Sequence, residues 1–173
     1  MAKPPINRDE FLRALGRLIV NANHLEHWIR TCLLLIHGEE SFRFLYGYLA
    51  TENFERLLQA LESSFTYRVS DATKRKQFDS ISQQIRRLYQ ERNRYVHSLW
   101  LFAADNTFVS RMRNLKGFRV EHEMQPDVAV LNKLADDLGA AHKDLLSFIN
   151  QVFPTFGATP RAVDSTNNDA RSR

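Results

Sequence analysis

The sequence predicts an all-α protein: a bundle of four or five helices with a small antiparallel β-meander before the last helix. Long stretches carry apolar residues at the spacing of an amphipathic helix, and only 6 of the 173 residues are glycine. A short region after residue 98 changes to the alternation typical of strands. The length suits one domain, expected over 1–153, and the apolar-poor tail at 154–173 is expected to be disordered.

The first helix is expected over residues 8–37. Asn7 and Glu10 have the spacing of a capping box, in which Asn7 accepts from the third helical N–H and Glu10 reaches back. Gly38 is a typical residue just past a helix end. The residues that recur at helical spacing are Phe11, Leu12, Leu15, Ile19, Ala22, Ile29 and Leu33.

The middle of the chain carries further helical patterns. A short helix is expected over 40–50, and Thr51 is the expected N-cap of the next one. The buried stripe of that helix is Phe54, Leu57, Leu58, Leu61 and Phe65. Ser70 or Asp71 can cap a long helix that runs to about Ser98.

The meander and the last helix follow. Strand-like runs at 99–103 and 107–112 flank a tight turn at Asp105–Asn106, and alternation over 118–124 predicts a third strand. Asp127 can cap the last helix. The inward residues expected on it are Val130, Leu131, Leu134, Leu138, Leu145, Leu146 and Ile149.

Two charged residues fall inside apolar stripes. At 100° per residue, Arg92 lies in the middle of the stripe of the long helix, and Glu26 lies in that of the first helix. Because an unpaired buried charge is costly, we expect an ion pair between them across the bundle. The pair either fixes the register of the helices or orients the Arg92 guanidinium toward a substrate phosphate.

Asn93 and His97 lie on a separate flank of the same helix, one turn apart. They can hydrogen-bond to each other or reach a common ligand. The simpler alternative is that His97 interacts with the last carbonyl groups of the helix.

Residues 92–97 read R-N-x-x-x-H, which resembles the signature of the HEPN superfamily of helical bundles. That motif is an arginine, often followed by a polar residue, and then a histidine, with four to six residues between the arginine and the histidine. The resemblance covers the architecture over roughly 8–153, and its specific content is Arg92, Asn93 and His97.

The resemblance implies a metal-independent endoribonuclease that acts as a homodimer on RNA, in a toxin–antitoxin, stress or phage-defence setting. His97 would assist proton transfer involving the ribose 2′-hydroxyl, and Arg92 would stabilise charge on the phosphate. Asn93 would position His97 or the substrate. Leu99 stands where the toxins paired with nucleotidyltransferase-like antitoxins carry a tyrosine. The alternatives are a non-catalytic HEPN-like module that binds an antitoxin or defence protein, and a helical nucleic-acid binder without turnover.

The formal net charge of +4 permits a nucleic-acid partner. Arg86 and Arg94 are candidate RNA-backbone contacts, and Tyr95 and Trp100 are candidate stacking platforms. A solvated basic face and ordinary core aromatics are the alternative reading of the same residues.

Other classes of protein and site are not expected. A single cysteine, Cys32, excludes a disulfide framework and suits a reducing cytoplasm. His24 and His27 lack further ligands at a suitable spacing, so we expect no metal site, and no motif indicates a cofactor. No apolar run is long enough to span a membrane, and the first residues lack the pattern of a signal peptide.

Overall fold

The computed structural model describes residues 7–38, 47, 49–104, 108–115, 119–123 and 127–154. Its elements are α1 (Arg8–His37), α2 (Phe54–Arg68), α3 (Ala72–Val96), β1 (Leu99–Phe102), β2 (Phe108–Leu115), β3 (Arg119–Glu123) and α4 (Val128–Val152). The predicted all-α class is confirmed. Residues 47 and 49–51 are also helical, and the rest of the short helix expected over 40–50 lies outside the described residues. The expected tail lies outside them beyond residue 154.

Helix α1 has the predicted bounds and contacts the other three helices. Asn7 caps it by accepting from the backbone N–H of Asp9 at 2.8 Å, the second helical donor instead of the expected third. Gly38 ends it with φ of 85°, a left-handed backbone that favours glycine. Leu12 was expected to belong to the apolar stripe of this helix, but it is 46% exposed, because it lies beside the buried stripe and not within it.

The caps of α2 and α3 fix where the two helices begin. Asn53 caps α2 by accepting from the backbone N–H of Arg56 at 3.1 Å, so the prediction of Thr51 as the cap is wrong. Asp71, one of the two predicted candidates, caps α3 by accepting from two backbone N–H groups. Helix α3 ends at Val96, two residues before the predicted end.

Aromatic rings fill the core where α2, α3 and α4 meet. Phe65 of α2 stacks on Phe78 of α3 with ring centroids 4.1 Å apart, and Phe148 of α4 lies 5.6 Å from Phe65.

On α4, the expectation that Val130 faces inward is wrong, since this side chain is 46% exposed near the helix start. Among the described residues, no helix combines the length and apolar character needed to cross a membrane.

The three strands form an antiparallel sheet in the order β1-β2-β3, and the expected turn at 105–106 lies outside the described residues. Leu99 pairs with Met112, and the register shifts between Leu101 and Phe102. Trp100 and Phe102 of β1 both pack on the Phe11 ring of α1, with centroids 4.7 and 5.6 Å away. The sheet therefore joins the bundle through β1, immediately after the end of α3.

Candidate functional site

The three predicted catalytic residues lie at the end of α3, with Arg92 and Asn93 in the helix and His97 immediately after it. Arg92 is buried with 9% of its surface exposed, Asn93 is half-buried, and His97 is exposed. His97 is the C-cap of the helix, and its backbone N–H donates to the Asn93 carbonyl oxygen at 3.2 Å. The predicted burial of Arg92 within the apolar stripe is confirmed, and His97 projects where the regular helix stops.

A cleft of about 400 Å³ lies between the start of α2 and the second half of α3. Arg92, Asn93 and His97 all line it, so the structure brings the three residues to one cavity. The remaining lining residues are Asn53, Phe54, Glu55, Arg86, Tyr89 and Gln90. Along α3 the lining residues run from position 86 to position 97, which spans about 16 Å at 1.5 Å per residue.

The Arg92 guanidinium is only partly satisfied inside the protein. Its Nη1 donates to the Asn93 Oδ1 at 3.0 Å, and its Cζ lies 5.0 Å from the centroid of the Tyr89 ring. Its Nε is buried and has no hydrogen-bond partner among the described residues. Since an unmet buried donor costs about 1–3 kcal/mol, Arg92 is held at this position at a cost to the stability of the fold.

The expected ion pair between Glu26 and Arg92 is replaced by an indirect connection. The Tyr89 hydroxyl donates a short hydrogen bond to the Glu26 Oε1, and Arg92 lies over the ring of the same tyrosine. Burial, and then the bond to Glu26, raises the pKa of Tyr89 above its ordinary value. The direct pair was therefore a wrong prediction, because a phenol stands between the two charges.

Glu26 forms an ion pair with a residue of its own helix, α1. The Arg30 Nη2 lies 3.4 Å from the Glu26 Oε2, one turn farther along α1. The Arg30 Nε also donates to the Leu49 carbonyl oxygen at 3.1 Å, and its Nη2 to the Glu52 carbonyl oxygen at 3.4 Å. These bonds tie the segment before α2, and with it one wall of the cleft, to α1.

Arg86 lines the cleft, but two carboxylates hold its guanidinium. Its Nη2 lies 3.1 Å from both oxygens of Glu62, and its Nε donates to the Glu55 Oε1 at 3.0 Å. The hydrogen bond to Glu62 is the main reason that the pKa of Arg86 is raised. Ser82 donates to Glu62 as well, so this cluster links α2 to α3.

The other three predicted RNA contacts do not line the cleft. Arg94 is exposed and pairs with Glu91 at 3.2 Å on the same helix. Trp100 donates to the Tyr95 carbonyl oxygen at 3.0 Å and stacks on the Tyr95 ring with centroids 6.2 Å apart. Tyr95 also lines a second groove of about 290 Å³ between α3 and α4, and both rings pack against the core.

The remaining histidines take other positions. His142 stacks on Trp28 with centroids 5.7 Å apart, and His27 meets the edge of the same indole. Neither is a lining residue of the cleft. Within the part of the chain that the structure describes, no three His, Cys, Asp or Glu side chains gather into a group that could hold a metal ion.

The cleft therefore brings a histidine together with a buried cation that has an unmet donor among the described residues. Sequence reasoning found Arg92, Asn93 and His97, but it missed the roles of Tyr89 and Asn53. Tyr89 lies three residues before Arg92 on the same apolar stripe, and this spacing could have indicated that the two side chains are neighbours. In comparisons with known proteins, no family model, curated protein or solved structure matches this chain.

Proposed function

We propose that the protein is a metal-independent endoribonuclease of the HEPN type that acts as a homodimer. The observation that carries the proposal is the meeting of Arg92, Asn93 and His97 in one cleft, with the Arg92 Nε buried and unpartnered among the described residues. The resemblance of residues 92–97 to the HEPN motif supports the same reaction.

The residue types suit cleavage by the ribose 2′-hydroxyl. In this reaction the 2′-oxygen attacks the adjacent phosphorus and the bond to the 5′-oxygen breaks, which leaves a 2′,3′-cyclic phosphate and a 5′-hydroxyl. His97 takes up the proton of the attacking hydroxyl, and a second copy of His97 in the homodimer supplies one to the leaving oxygen. Arg92 binds the phosphate oxygens, and Asn93 holds the Arg92 guanidinium through its Oδ1.

The depth of Arg92 fits this division of roles. A guanidinium at the floor of a cavity acts where water is scarce, so its attraction to a phosphate is stronger than at an open surface. The exposed His97 imidazole lies at the end of α3, where it can meet the substrate and the second subunit. The proposed setting is a toxin–antitoxin, stress or phage-defence system in which a partner protein controls the cleavage.

The test is cleavage of mixed RNA in excess chelator by the wild type, His97→Ala and Arg92→Lys. We expect wild-type products with 2′,3′-cyclic phosphate ends. General acid–base groups contribute about 100- to 10,000-fold, so His97→Ala should be slowed by that order. Arg92→Lys keeps the charge but loses the planar fork, and it should also be severely slowed.

His24→Ala serves as a matched control, since His24 is an exposed histidine on α1 outside the cleft. It should cleave like the wild type. Full activity in His97→Ala, or no cleavage by a folded wild-type dimer across several RNAs, would contradict the proposal.

A second candidate function is a non-catalytic module that binds a partner protein. Three exposed apolar side chains favour it: Leu99 is 56%, Val130 46% and Leu101 38% exposed. A partner that binds equally well to His97→Ala but not to Leu99→Asp, in the absence of any RNA cleavage, would support this function instead.

A further inference from the structure

The end of the cleft opposite His97 is formed by the first residues of α2. Phe54 stacks on Tyr89 with ring centroids 3.4 Å apart, and Tyr89 lies one turn before Arg92 and Asn93 on α3. One turn is about 5.4 Å along the helix axis. A group bound beside Asn53 and Phe54 would therefore lie next to a phosphate on Arg92, at the distance of an adjoining nucleoside.

The hydrogen bonds of Asn53 and Asn93 determine which atom of each side-chain amide is left to bind such a group. The Asn53 oxygen accepts the backbone N–H of Arg56 at 3.1 Å, and the Asn93 oxygen accepts the Arg92 Nη1 at 3.0 Å. Both partners can only donate, so in each amide the atom that meets them must be the oxygen. The Nδ2 groups are left with no partner among the described residues, and both asparagines line the cleft.

The charges at this end disfavour a second phosphate. Arg86 brings one positive charge and is bound to Glu55 and Glu62, which bring two negative charges, so the cluster has a net charge of −1. An uncharged group with hydrogen-bond acceptors suits this end of the cleft better than another anion. Phe54 and Tyr89, which are 6% and 9% exposed and stack on each other, make this end of the cleft apolar, which suits an uncharged base.

We propose that Asn53, Asn93, Phe54 and Tyr89 form a base-selecting subsite that takes the nucleobase beside the reacting phosphate. The two amide donors select bases with a keto oxygen at C4 of a pyrimidine or C6 of a purine, which are uracil and guanine, over cytosine and adenine, which carry an amino group at that position. The subsite rests on the proposed function for its place beside a reacting phosphate. Its binding preference can nevertheless be measured without any cleavage.

The binding test uses the full chain and the 3′-monophosphates of uridine, cytidine, guanosine and adenosine, which contain no bond to cleave. Within each pair the phosphate and the ring size are the same. Uridine and cytidine differ from keto to amino at C4, and guanosine and adenosine differ in the same way at C6, with an additional C2 amino group on guanine. Discrimination between right and wrong bases by paired hydrogen bonds corresponds to about 5- to 150-fold. We expect at least about fivefold tighter binding of each keto nucleotide, measured by calorimetry.

Asn53→Asp is the decisive variant, because aspartate caps a helix as well as asparagine does but presents acceptors only. It should abolish or reverse the keto preference. Asn7→Asp is its matched control: it makes the same change at the cap of α1, outside the cleft, and should keep the preference.

Equal binding of keto and amino nucleotides, no binding of any of them, or an unchanged preference in Asn53→Asp would overturn the subsite. The outcome is separable from that of the proposed function. Chelator-resistant cleavage with no preference for the base beside the cut would refute the subsite and leave the ribonuclease standing. A keto preference in binding without cleavage of any RNA would support the subsite and refute the ribonuclease.

Discussion

Tyr89 connects Glu26 of α1, which is partly buried, to Arg92 of α3, which is buried, and Tyr89→Phe isolates one part of that connection. The substitution removes the hydroxyl that donates to Glu26. It keeps the ring that stacks on Phe54 at 3.4 Å and lies under the Arg92 guanidinium. We therefore expect a loss of stability with little change in the position of Arg92.

The size of the loss follows from the surroundings of the bond. Hydrogen bonds to charged groups contribute about 1.5–3 kcal/mol when the charged partner depends on them. Here the Glu26 side chain is 18% exposed and keeps its ion pair with Arg30. We expect a loss of about 1–2 kcal/mol in the free energy of unfolding, or a Tm lower by about 2–8 °C in a protein of this size.

The difference between wild type and variant should also depend on pH. The pKa of Tyr89 is raised above the ordinary 10 in the folded state, so the fold holds its proton more tightly than the unfolded chain does. That contribution is fully present below pH 10 and is lost as the pH rises through the folded-state pKa. Tyr89→Phe lacks the group, so its deficit should shrink above pH 10.

The assay is urea unfolding followed by circular dichroism, with Tyr67→Phe as the matched control. Tyr67 is 86% exposed, and loss of its hydroxyl should leave the midpoint unchanged. A double-mutant cycle with Glu26→Ala should give a coupling of about 1 kcal/mol. Wild-type stability in Tyr89→Phe, or a coupling near zero, would show that the bond between Tyr89 and Glu26 contributes nothing.

Two other titratable groups give predictions. Burial, aided by nearby His24 and Lys143, lowers the pKa of His142, so folding should lose stability as the pH falls from 6.5 through the folded-state value. In thermal melts, the Tm of the wild type should fall more than the Tm of His142→Gln as the pH is lowered. Equal losses of Tm in the two proteins would contradict this prediction. Burial raises the pKa of Cys32 to about 12, so iodoacetamide at pH 8 should label the protein in urea and spare the native fold; rapid native labelling would contradict the burial.

The helices and the burial of Arg92 were predictable because they follow from a period. Apolar residues repeat along α3 every three or four positions and form a stripe on one side of the helix. At 100° per residue, any residue whose direction falls within that stripe also faces the core. Position 92 is surrounded by such residues, so its burial needed no knowledge of the neighbouring helices. The separation of Asn93 and His97 from the stripe followed from the same geometry.

The contacts across helices were not predictable in the same way. The helical wheel placed Glu26 and Arg92 on facing stripes, but it gave no distance between them, and Tyr89 fills that space. The cap of α2 depends on where the preceding segment ends, and Arg30 holds that segment through two carbonyl oxygens. The sequence shows neither constraint, so Thr51 was preferred to Asn53, and the wall of the cleft that Asn53 builds was missed.

The Arg92 Nε, which has no partner among the described residues, has a consequence for the energetics of the whole fold. An apolar side chain of similar length at position 92 would not leave a buried donor without a partner, so the free protein is not at the stability optimum of its own architecture. An acceptor that reached the Nε would restore the missing hydrogen bond, and it would bind the folded chain but not the unfolded one. The occupied form would then be the more stable one, and α2 and α3, which build the cleft, would gain most from occupancy.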